Sequence, residues 1–353
     1  GQDEDAFEDF SRALELQPDY PWAREGRVKT ARRLERHGDA ITDLDWLVTK
    51  DPASARLRHQ RAQAHLALDD FERALVDADE SVRLGGDRAE HHATRGNVLR
   101  LLDRHEDAIA AFGRATALAE EAWTFARRGD SLRALGRFEE AAQDFTRAIE
   151  LDAEDAFAHR GRADALVALE RFEEAVVDYD RAIELDPLTR DVTAGRAEAL
   201  RRTGRFELAL AAYDEGLCLD PADASLLVGR AEVLRHLGRA MDGLSDLHRA
   251  LEANPDERHG LRARARAYLG MGRHVDALRD VEAVLAQDPR DRVALTQRPD
   301  ILRRLGRIEE ALSASAEAIA LRPDDDALHF VRALVERGIG AFAAAETDLR
   351  RAL

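Results

Sequence analysis

The chain repeats itself every 34 residues, and this period restricts its fold more than any other feature of the sequence. The string RFEEA at residues 137–141 returns at 171–175, and closely similar residues follow both copies. Seven of the nine prolines share one phase of this period, with one residue missing between Pro52 and Pro187 because the repeat at 89–121 is one residue short: Pro18, Pro52, Pro187, Pro221, Pro255, Pro289 and Pro323. Such self-similarity predicts a stack of like supersecondary units.

Two further series divide each repeat into two helices. Glycines recur in one phase at Gly136, Gly204, Gly238, Gly272, Gly306 and Gly340. Small residues that would let two helices approach closely recur about one turn later, at Ala141, Ala175, Ala209, Ala277, Ala311 and Ala345. Glycine ends helices and proline cannot continue them. The pattern therefore predicts that each repeat forms a helix, a short turn and a second helix, which ends at the proline. The predicted fold class is all-α, which the abundance of strong helix formers also favours.

The phase assigns all 353 residues to a single continuous array of repeats. Residues 1–20 hold only the second helix of a partial repeat, and 326–353 is a last repeat cut short. The full repeats are predicted at 21–54, 55–88, 89–121, 122–155, 156–189, 190–223, 224–257, 258–291 and 292–325.

This pattern resembles the tetratricopeptide repeat (TPR), whose units place a small residue eighth and alanine twentieth and twenty-seventh. Here the eighth place reads Ala62, Gly96, Gly129, Ala163, Ala197, Ala231, Ala265 and Ala333, with departures at Val28 and Pro299. The resemblance covers essentially the whole chain. It implies an α-solenoid, a right-handed superhelix of helical hairpins in which the first helix of each pair lines a concave groove. One hairpin cannot bury its apolar face alone, so stacked neighbours would supply a continuous core.

Composition limits the class of protein further. The formal net charge is −17, which argues against non-specific binding of nucleic acid. No run of 18 apolar residues and no secretory signal occurs, so we expect no membrane span. A single cysteine, Cys218, fits a reducing cytosol, and the arginine-rich, lysine-poor composition is typical of a GC-rich genome; we expect a cytoplasmic, bacterial-type protein. Since Gly1 falls inside a repeat and no capping helix follows Leu353, we expect a piece of a longer protein.

Arginine occupies the seventh place of every full repeat, where the family usually has an apolar residue and bacterial members often have Arg–Gly. These residues are Arg27, Arg61, Arg95, Arg128, Arg162, Arg196, Arg230, Arg264, Arg298 and Arg332. Sixteen residues later, the second helix carries Asp43, Asp77, Asp144, Asp178, Asp246, Asp280 and Asp348, but Ala111, Ala212 and Ala314 in three repeats. We predict a structural ion pair across each hairpin, bidentate where geometry allows, rather than a binding site.

In the TPR family, the second, fifth, sixth, ninth, twelfth and thirteenth places of the first helix tend to face the groove. Here these places hold sixteen basic and eight acidic residues, so the resemblance implies a basic groove on an acidic protein. Several arginines follow an acid by three residues and would form surface pairs. Arg32, Arg33, Arg100, Arg202, Arg304 and Arg337 lack that partner. The predicted partner-binding residues are Trp22, Lys29, Arg32, Arg33, Arg100, Trp123, Arg127, Arg133, Phe157, Arg201, Arg202, Arg235, Arg303, Arg304 and Arg337.

Two groups of residues leave alternatives open. The aromatic residues Trp22, Trp123 and Phe157 hold the second place of their repeats, where they either project at the groove entrance or pack between repeats. Pro299 lies within a first helix, where it would remove one backbone hydrogen bond and kink or shorten the helix.

The sequence contains no motif for catalysis or for a cofactor. It has no phosphate-binding glycine loop with lysine, no zinc-protease helix and no paired cysteines. Histidines such as His37, His105 and His274 replace packing residues. Asn97 lacks the lysine four residues earlier that the family's carboxylate clamp uses. We therefore expect no enzymatic activity, no cofactor and no metal.

The function that these patterns favour is a non-catalytic scaffold for protein–protein interaction. We expect it to bind a partner protein, through an extended acidic segment in the basic concave groove. One alternative is self-association through the ends of the repeat array. Another is nucleic-acid binding in the groove, which is less favoured because the groove has few aromatic residues.

Overall fold

The chain folds into α-helices throughout the part that the structure describes. A computed structural model describes residues 1–187 and 190–352, with Arg190 described by its backbone alone. These residues form twenty-one α-helices and no strand. Their contacts divide the chain into two compact units, here called the N-terminal body (Gly1–Pro187) and the C-terminal body (Leu188–Leu353).

The N-terminal body consists of one single helix followed by five helical hairpins. Each hairpin pairs an even-numbered first helix with an odd-numbered second helix. The helices are α1 (Gln2–Leu16), α2 (Pro21–Arg33), α3 (His37–Lys50), α4 (Ala55–Leu66), α5 (Phe71–Gly85), α6 (Ala89–Leu101), α7 (His105–Leu118), α8 (Ala122–Ala134), α9 (Phe138–Leu151), α10 (Ala156–Ala168) and α11 (Phe172–Leu185).

The C-terminal body consists of five further hairpins of the same kind. Its helices are α12 (Arg190–Arg202), α13 (Phe206–Leu219), α14 (Ala224–His236), α15 (Ala240–Ala253), α16 (Arg258–Gly270), α17 (His274–Gln287), α18 (Arg292–Arg304), α19 (Ile308–Leu321), α20 (Asp326–Gly338) and α21 (Phe342–Arg351). Residues 188 and 189, which end the predicted repeat 156–189, and Leu353, which ends the predicted repeat 326–353, lie outside the described residues.

The all-α fold predicted from the sequence is confirmed. Every hairpin begins its first helix at the residue that opens a predicted repeat, from Pro21 in α2 to Asp326 in α20. The in-phase prolines stop second helices as predicted: Pro52, for example, lies two residues after Lys50, the last residue of α3. The single continuous array over residues 1–353 stays a prediction.

The turn inside each hairpin places one residue in the left-handed backbone region. The six in-phase glycines all adopt φ values between 72° and 77° there. In the other four repeats a residue with a side chain takes this conformation, with φ between 56° and 58°: Glu35, Asp69, Asp103 and Glu170. The left-handed region costs a non-glycine residue about 1–2 kcal/mol. All four strained turns lie in the N-terminal body.

Small residues bring the two helices of each hairpin together. The in-phase alanines from Ala141 to Ala345 are at most 3% exposed. Gly243 holds the same place in its repeat, and a Cβ atom added to it would lie 2.8 Å from the carbonyl oxygen of Ala231 in α14. The predicted close approach of the helices is therefore confirmed.

Pro299 does not shorten its helix, and the kink that the sequence offers as the other outcome stays a prediction. The helix α18 spans thirteen residues around Pro299, as many as α16, so the predicted shortening does not occur. Pro299 takes the eighth place of its repeat and is buried. Packing at this place holds the backbone helical even though the proline nitrogen cannot donate a hydrogen bond.

The seventh-place arginines join the two helices of their own hairpins. Both Nε and Nη2 of Arg264 donate to the carboxylate of Asp280 at 2.8 Å. The aspartates of these pairs are at most 7% exposed. The predicted bidentate pair forms in all seven repeats that have the aspartate: Arg27–Asp43, Arg61–Asp77, Arg128–Asp144, Arg162–Asp178, Arg230–Asp246, Arg264–Asp280 and Arg332–Asp348.

Some of these arginines also bond to the preceding hairpin. Arg61 donates to Asp45 at 2.7 Å, sixteen residues earlier in the chain. In the repeat where Ala111 replaces the aspartate, the backward bond remains, since Arg95 donates to Asp79 at 2.6 Å. The arginine column therefore connects neighbouring repeats as well as the helices within one repeat.

Two buried histidine rings stack between α4 and α6. The ring centroids of His59 and His91 are 4.8 Å apart. Nδ1 of His91 lies 3.1 Å from the carbonyl oxygen of Ser81, whereas Nδ1 of His59 has no hydrogen-bond partner among the described residues. Burial lowers the pKa of His59 to about 4; His91 and Arg32 act in the same direction, and Glu90 opposes them.

Removing the aspartate from one of these Arg–Asp pairs should destabilise the protein. Asp280→Ala leaves the half-buried Arg264 without its carboxylate, so we expect the free energy of unfolding to fall by about 1.5–3 kcal/mol in urea denaturation. Glu282→Ala is the matched control, because Glu282 is an exposed residue of the same helix. It should change the free energy by less than about 0.5 kcal/mol. Equal effects of the two substitutions would contradict a structural role for the pair.

Stability should also fall between about pH 6.5 and pH 4. The unfolded chain protonates His59 in this window whereas the folded chain does not, so the unfolded state binds more protons. Above this window the histidine is neutral in both states and its contribution is constant. The measurement is the free energy of unfolding at about pH 7 and pH 5. The variant His59→Gln should lose less stability over this interval than the wild type, and an equal loss would overturn the assignment.

Candidate functional site

First helices of successive hairpins share a polar face, here called the first-helix face, formed by the six places that the family turns towards its groove. In the N-terminal body, Arg100 of α6 pairs with Asp130 of α8 at 3.2 Å. Asp130 also pairs with Arg133 at 2.8 Å, and Arg133 lies 3.9 Å from Asp164 of α10. Arg100 has no acid three residues earlier, as the sequence shows, but it finds an acidic partner on the next first helix.

The C-terminal body carries a similar row of ion pairs on its own first-helix face. Arg201 pairs with Glu198 at 2.6 Å in the same helix and with Glu232 of the next first helix at 3.0 Å. Arg266 pairs with the same Glu232 at 2.7 Å from the other side. The hydrogen bond from Arg201 to Glu198 raises the pKa of the Arg201 guanidinium. Glu198 and Glu232 therefore offset the positive charge of Arg201 and Arg266, which the sequence alone would count as available to a partner.

Two tyrosines of second helices anchor acids of this face, which sequence reasoning missed. The hydroxyl of Tyr179 donates to Asp164 at 2.7 Å, and that of Tyr213 donates to Glu198 at 3.2 Å. Burial, with the adjacent carboxylate, raises the pKa of both hydroxyls. The available signal was the spacing, because each tyrosine follows its acid by fifteen residues.

Two more arginines without an acid three residues earlier have an acidic partner elsewhere. Arg33 pairs with Asp3 of α1 at 3.1 Å. Arg304 pairs with Asp300, four residues earlier, at 2.8 Å, and Arg303 binds the same carboxylate at 2.6 Å. Burial alone would raise the pKa of Asp300, but the two arginines hold it below its usual value. The spacing of three residues therefore does not capture all the acidic partners of these arginines.

A cavity of about 530 Å³, here called the basic pocket, opens between α2, α3 and α4 in the N-terminal body. Its charged lining is four cations and one carboxylate: Lys29, Arg32, Arg33, Arg56 and Glu25. Arg56 pairs with Glu25 at 2.9 Å, and both side chains are about half exposed. Exposed pairs of this kind contribute little to stability and exchange readily for other partners.

Two cations of the basic pocket have no carboxylate partner among the described residues. Lys29 is exposed and makes no hydrogen bond or ion pair there. Arg32 donates to the neutral amide oxygen of Gln63 at 2.7 Å. The pocket therefore presents net positive charge to solvent at two sequence-predicted site residues.

The predicted aromatic residues pack between repeats and stay partly exposed; their projection at a groove entrance stays a prediction. Each ring meets, edge-on, an aromatic ring of the preceding second helix at centroid distances of 5.4–6.3 Å: Trp22–Phe10, Trp123–Phe112 and Phe157–Phe145. Trp22 is 65% exposed and Trp123 is 41% exposed. Phe157 is partly buried against the core around Phe145.

The other predicted site residues do not join the basic pocket. Arg127 and Arg133 lie on α8 of the N-terminal body. The remaining ones belong to first helices of the C-terminal body: Arg201, Arg202, Arg235, Arg303, Arg304 and Arg337. Nη2 of Arg235 lies 2.7 Å from Nε2 of His236.

A larger cavity of about 660 Å³ lies along α9, α10 and α11, but its arginines are already paired. Arg147, Arg162 and Arg171 bind carboxylates within 2.8 Å. This cavity offers little free charge to a ligand.

The described residues lack a metal-ligand cluster and a helix suited to crossing a membrane. They contain no group of three or more histidine, cysteine, aspartate or glutamate side chains that could hold a metal ion. None of the described helices has both the length and the apolar character needed to cross a membrane. Cys218 is an exposed free thiol.

Comparison with solved structures finds TPR proteins. The Cut9–Hcn1 hetero-tetramer of the APC/C matches with a TM-score of 0.52 at 13% identity, over 100% of this chain and 90% of the other. YrrB, a TPR protein with an unusual peptide-binding site, matches at 22% identity over 52% of this chain and 95% of the other, with a TM-score of 0.47. MamA matches at 15% identity over 46% and 94%, with a TM-score of 0.42. At these identities the likeness concerns the fold alone.

Family comparison covers most of the chain. The tetratricopeptide-repeat model matches residues 26–89, 126–188, 160–225, 194–257, 228–292 and 300–353. No curated protein sequence matches the chain. The repeats and the fold support a protein-interaction scaffold. With hairpins that begin at the predicted repeat starts and a family match over most of its length, the chain belongs to the tetratricopeptide-repeat family.

Proposed function

We propose that this chain is a non-catalytic scaffold that binds an extended acidic segment of a partner protein along the first-helix face of its N-terminal body. The observation that carries the proposal is the basic pocket, where Lys29 and Arg32 have no carboxylate partner among the described residues. A cytoplasmic setting belongs to the same proposal.

The lining of the basic pocket suits a peptide better than a compact anion. Its floor includes the apolar side chains Val28, Leu47 and Ala64, and the amides of Gln60 and Gln63 stand beside the cations. Apolar surface with a few convergent polar groups is the usual make-up of a binding site in a cleft. Amides can bond to the backbone of an extended segment, while the cations attract its acidic side chains.

The distribution of charge on the first-helix face disfavours nucleic-acid binding. A nucleic-acid backbone needs a run of unpaired cations that follows its phosphates. On the first-helix face, acids interrupt the cations: Asp130 pairs with both Arg100 and Arg133, and Glu232 pairs with both Arg201 and Arg266. A segment with a few spaced carboxylates fits the remaining charges better than a polyanion.

Direct titration tests the proposal. The probe is a blocked, fluorescein-labelled peptide of alternating glutamate and leucine, followed by fluorescence anisotropy. The double variant Lys29→Glu/Arg32→Glu should bind about tenfold more weakly or worse, because it reverses both unpaired charges. Arg12→Glu is the matched control, since Arg12 is exposed on α1 away from the pocket lining and has no partner among the described residues.

Salt and an uncharged peptide complete this test. Binding should weaken as ionic strength rises, and the control variant should bind like the wild type. The same peptide with glutamine in place of glutamate should bind poorly. Equal binding of the two peptides, or an unchanged affinity of the double variant, would contradict the proposal.

Self-association is a second candidate function, which exposed apolar side chains favour. The last hairpin, α20–α21, exposes Phe330 and Ile339 at 48% and Phe342 at 66%. Burial of such a patch against another copy would be favourable. If this hairpin self-associates, the mass from light scattering should rise with protein concentration, and Phe342→Ser should reduce the rise. A constant monomeric mass would eliminate this candidate.

A further inference from the structure

Arg127 is an exception within the repeat pattern. It is the one charged residue at the sixth place of the ten first helices. The other nine repeats have neutral residues there: Gly26, Gln60, Thr94, Gly161, Gly195, Gly229, Ala263, Gln297 and Val331. The structural arginine column occupies the next place, so the repeat architecture does not require a charge at residue 127.

Two aromatic rings flank the guanidinium group of Arg127. Its central carbon lies 4.3 Å from the ring centroid of Phe157 in α10 and 6.0 Å from that of Trp123 in α8. Both distances lie in the range of cation–π attraction. Contacts with two rings restrict the rotamers of a long side chain, so the guanidinium is oriented before any ligand arrives.

This guanidinium has no polar partner among the described residues. Its neighbours do: Arg128 pairs with Asp144 at 2.6 Å, and Arg133 pairs with Asp130 at 2.8 Å. Burial lowers the pKa of Arg127 and Arg100 acts in the same direction, whereas the charges of Asp130 and Asp155 oppose them. An arginine stays charged in proteins all the same. Arg127 is thus a half-buried cation whose guanidinium makes no hydrogen bond to an acid of the described residues, although Asp130 and Asp155 act on it from a greater distance.

We propose that Arg127, held between Trp123 and Phe157, is the receptor for one aspartate or glutamate side chain of the partner's acidic segment. The carboxylate accepts two parallel hydrogen bonds from the guanidinium fork. An apolar residue next to that acid packs on the exposed part of Trp123. This inference deepens the proposed function and rests on it, because it adds a second, more specific contact point to the basic pocket.

The guanidinium of Arg127 matches a carboxylate in shape, since its planar fork offers two parallel hydrogen bonds. Asp130, on the same helix, pairs with Arg100 and Arg133 and offsets part of their charge. Asp130 and Asp164, which stand among the cations of this face, would repel the further charges of a longer polyanion. Tryptophan and arginine at a partly desolvated contact also form the usual composition of a protein–protein hot spot.

The same anisotropy titration, with the blocked peptide of alternating glutamate and leucine, tests the inference in the full chain. Arg127→Gln should weaken binding about tenfold, because a charge-assisted bond is lost. Arg127→Lys keeps the charge but not the planar fork, so it should also weaken binding, though less. Arg147→Gln, on the second helix α9, is the control and should bind like the wild type. Urea denaturation of each variant reports its folding.

The outcomes separate this inference from the proposed function. If the wild type binds the peptide and Lys29→Glu/Arg32→Glu weakens it while Arg127→Gln does not, the inference is overturned and the proposed function stands. If the wild type binds no peptide, both fail. An equal loss by Arg127→Gln with the glutamine peptide would also overturn the inference, because the contact would then not involve a carboxylate. Inhibition by free inorganic phosphate at equal concentration would assign the site to phosphate instead.

Discussion

The bidentate ion pair between the seventh-place arginine and the buried aspartate of the second helix is the interaction on which the other features depend. A buried carboxylate requires several donors, and here the arginine supplies two of them. The residue at the fourth place of the first helix often adds another donor. Arg24 donates to Asp43 at 2.7 Å, and Nδ1 of His159 lies 3.1 Å from Asp178. Each aspartate thus fixes the rotation of a first helix against its second helix. That rotation decides which side chains form the first-helix face.

Seven of the ten first helices are held in this way. Most charged side chains of the first-helix face form ion pairs with other residues of the protein. Rows of acids and arginines join neighbouring first helices in each body, and tyrosines of second helices hold some of the acids. The cations without a carboxylate partner are therefore more informative than the total charge of the face. Lys29, Arg32 and Arg127 are such cations in the N-terminal body, and each stands next to apolar or amide surface suited to a peptide.

Sequence reasoning predicted the fold well because the fold repeats. The 34-residue period, the glycines and the prolines each mark a local event, and ten copies reinforce one another. The column of arginines with Asp sixteen residues later was predicted for the same reason. The site was predicted less well. Partners such as Asp130 for Arg100 lie thirty residues away, and pairing rules for one helix cannot find them. Arg127 was among the predicted residues, but its two flanking rings come from different helices.

The turns divide the two bodies in a way that bears on their mechanics. Each described turn of the C-terminal body has glycine in the left-handed conformation, whereas four of the five in the N-terminal body force a side chain into it. Each strained turn stores on the order of 1 kcal/mol that is released when its hairpin opens. Relative to a turn with glycine, each of these four turns therefore makes its own hairpin easier to open by about that amount. Two of them, at Glu35 and Asp69, join the helices of the hairpins α2–α3 and α4–α5, which line the basic pocket.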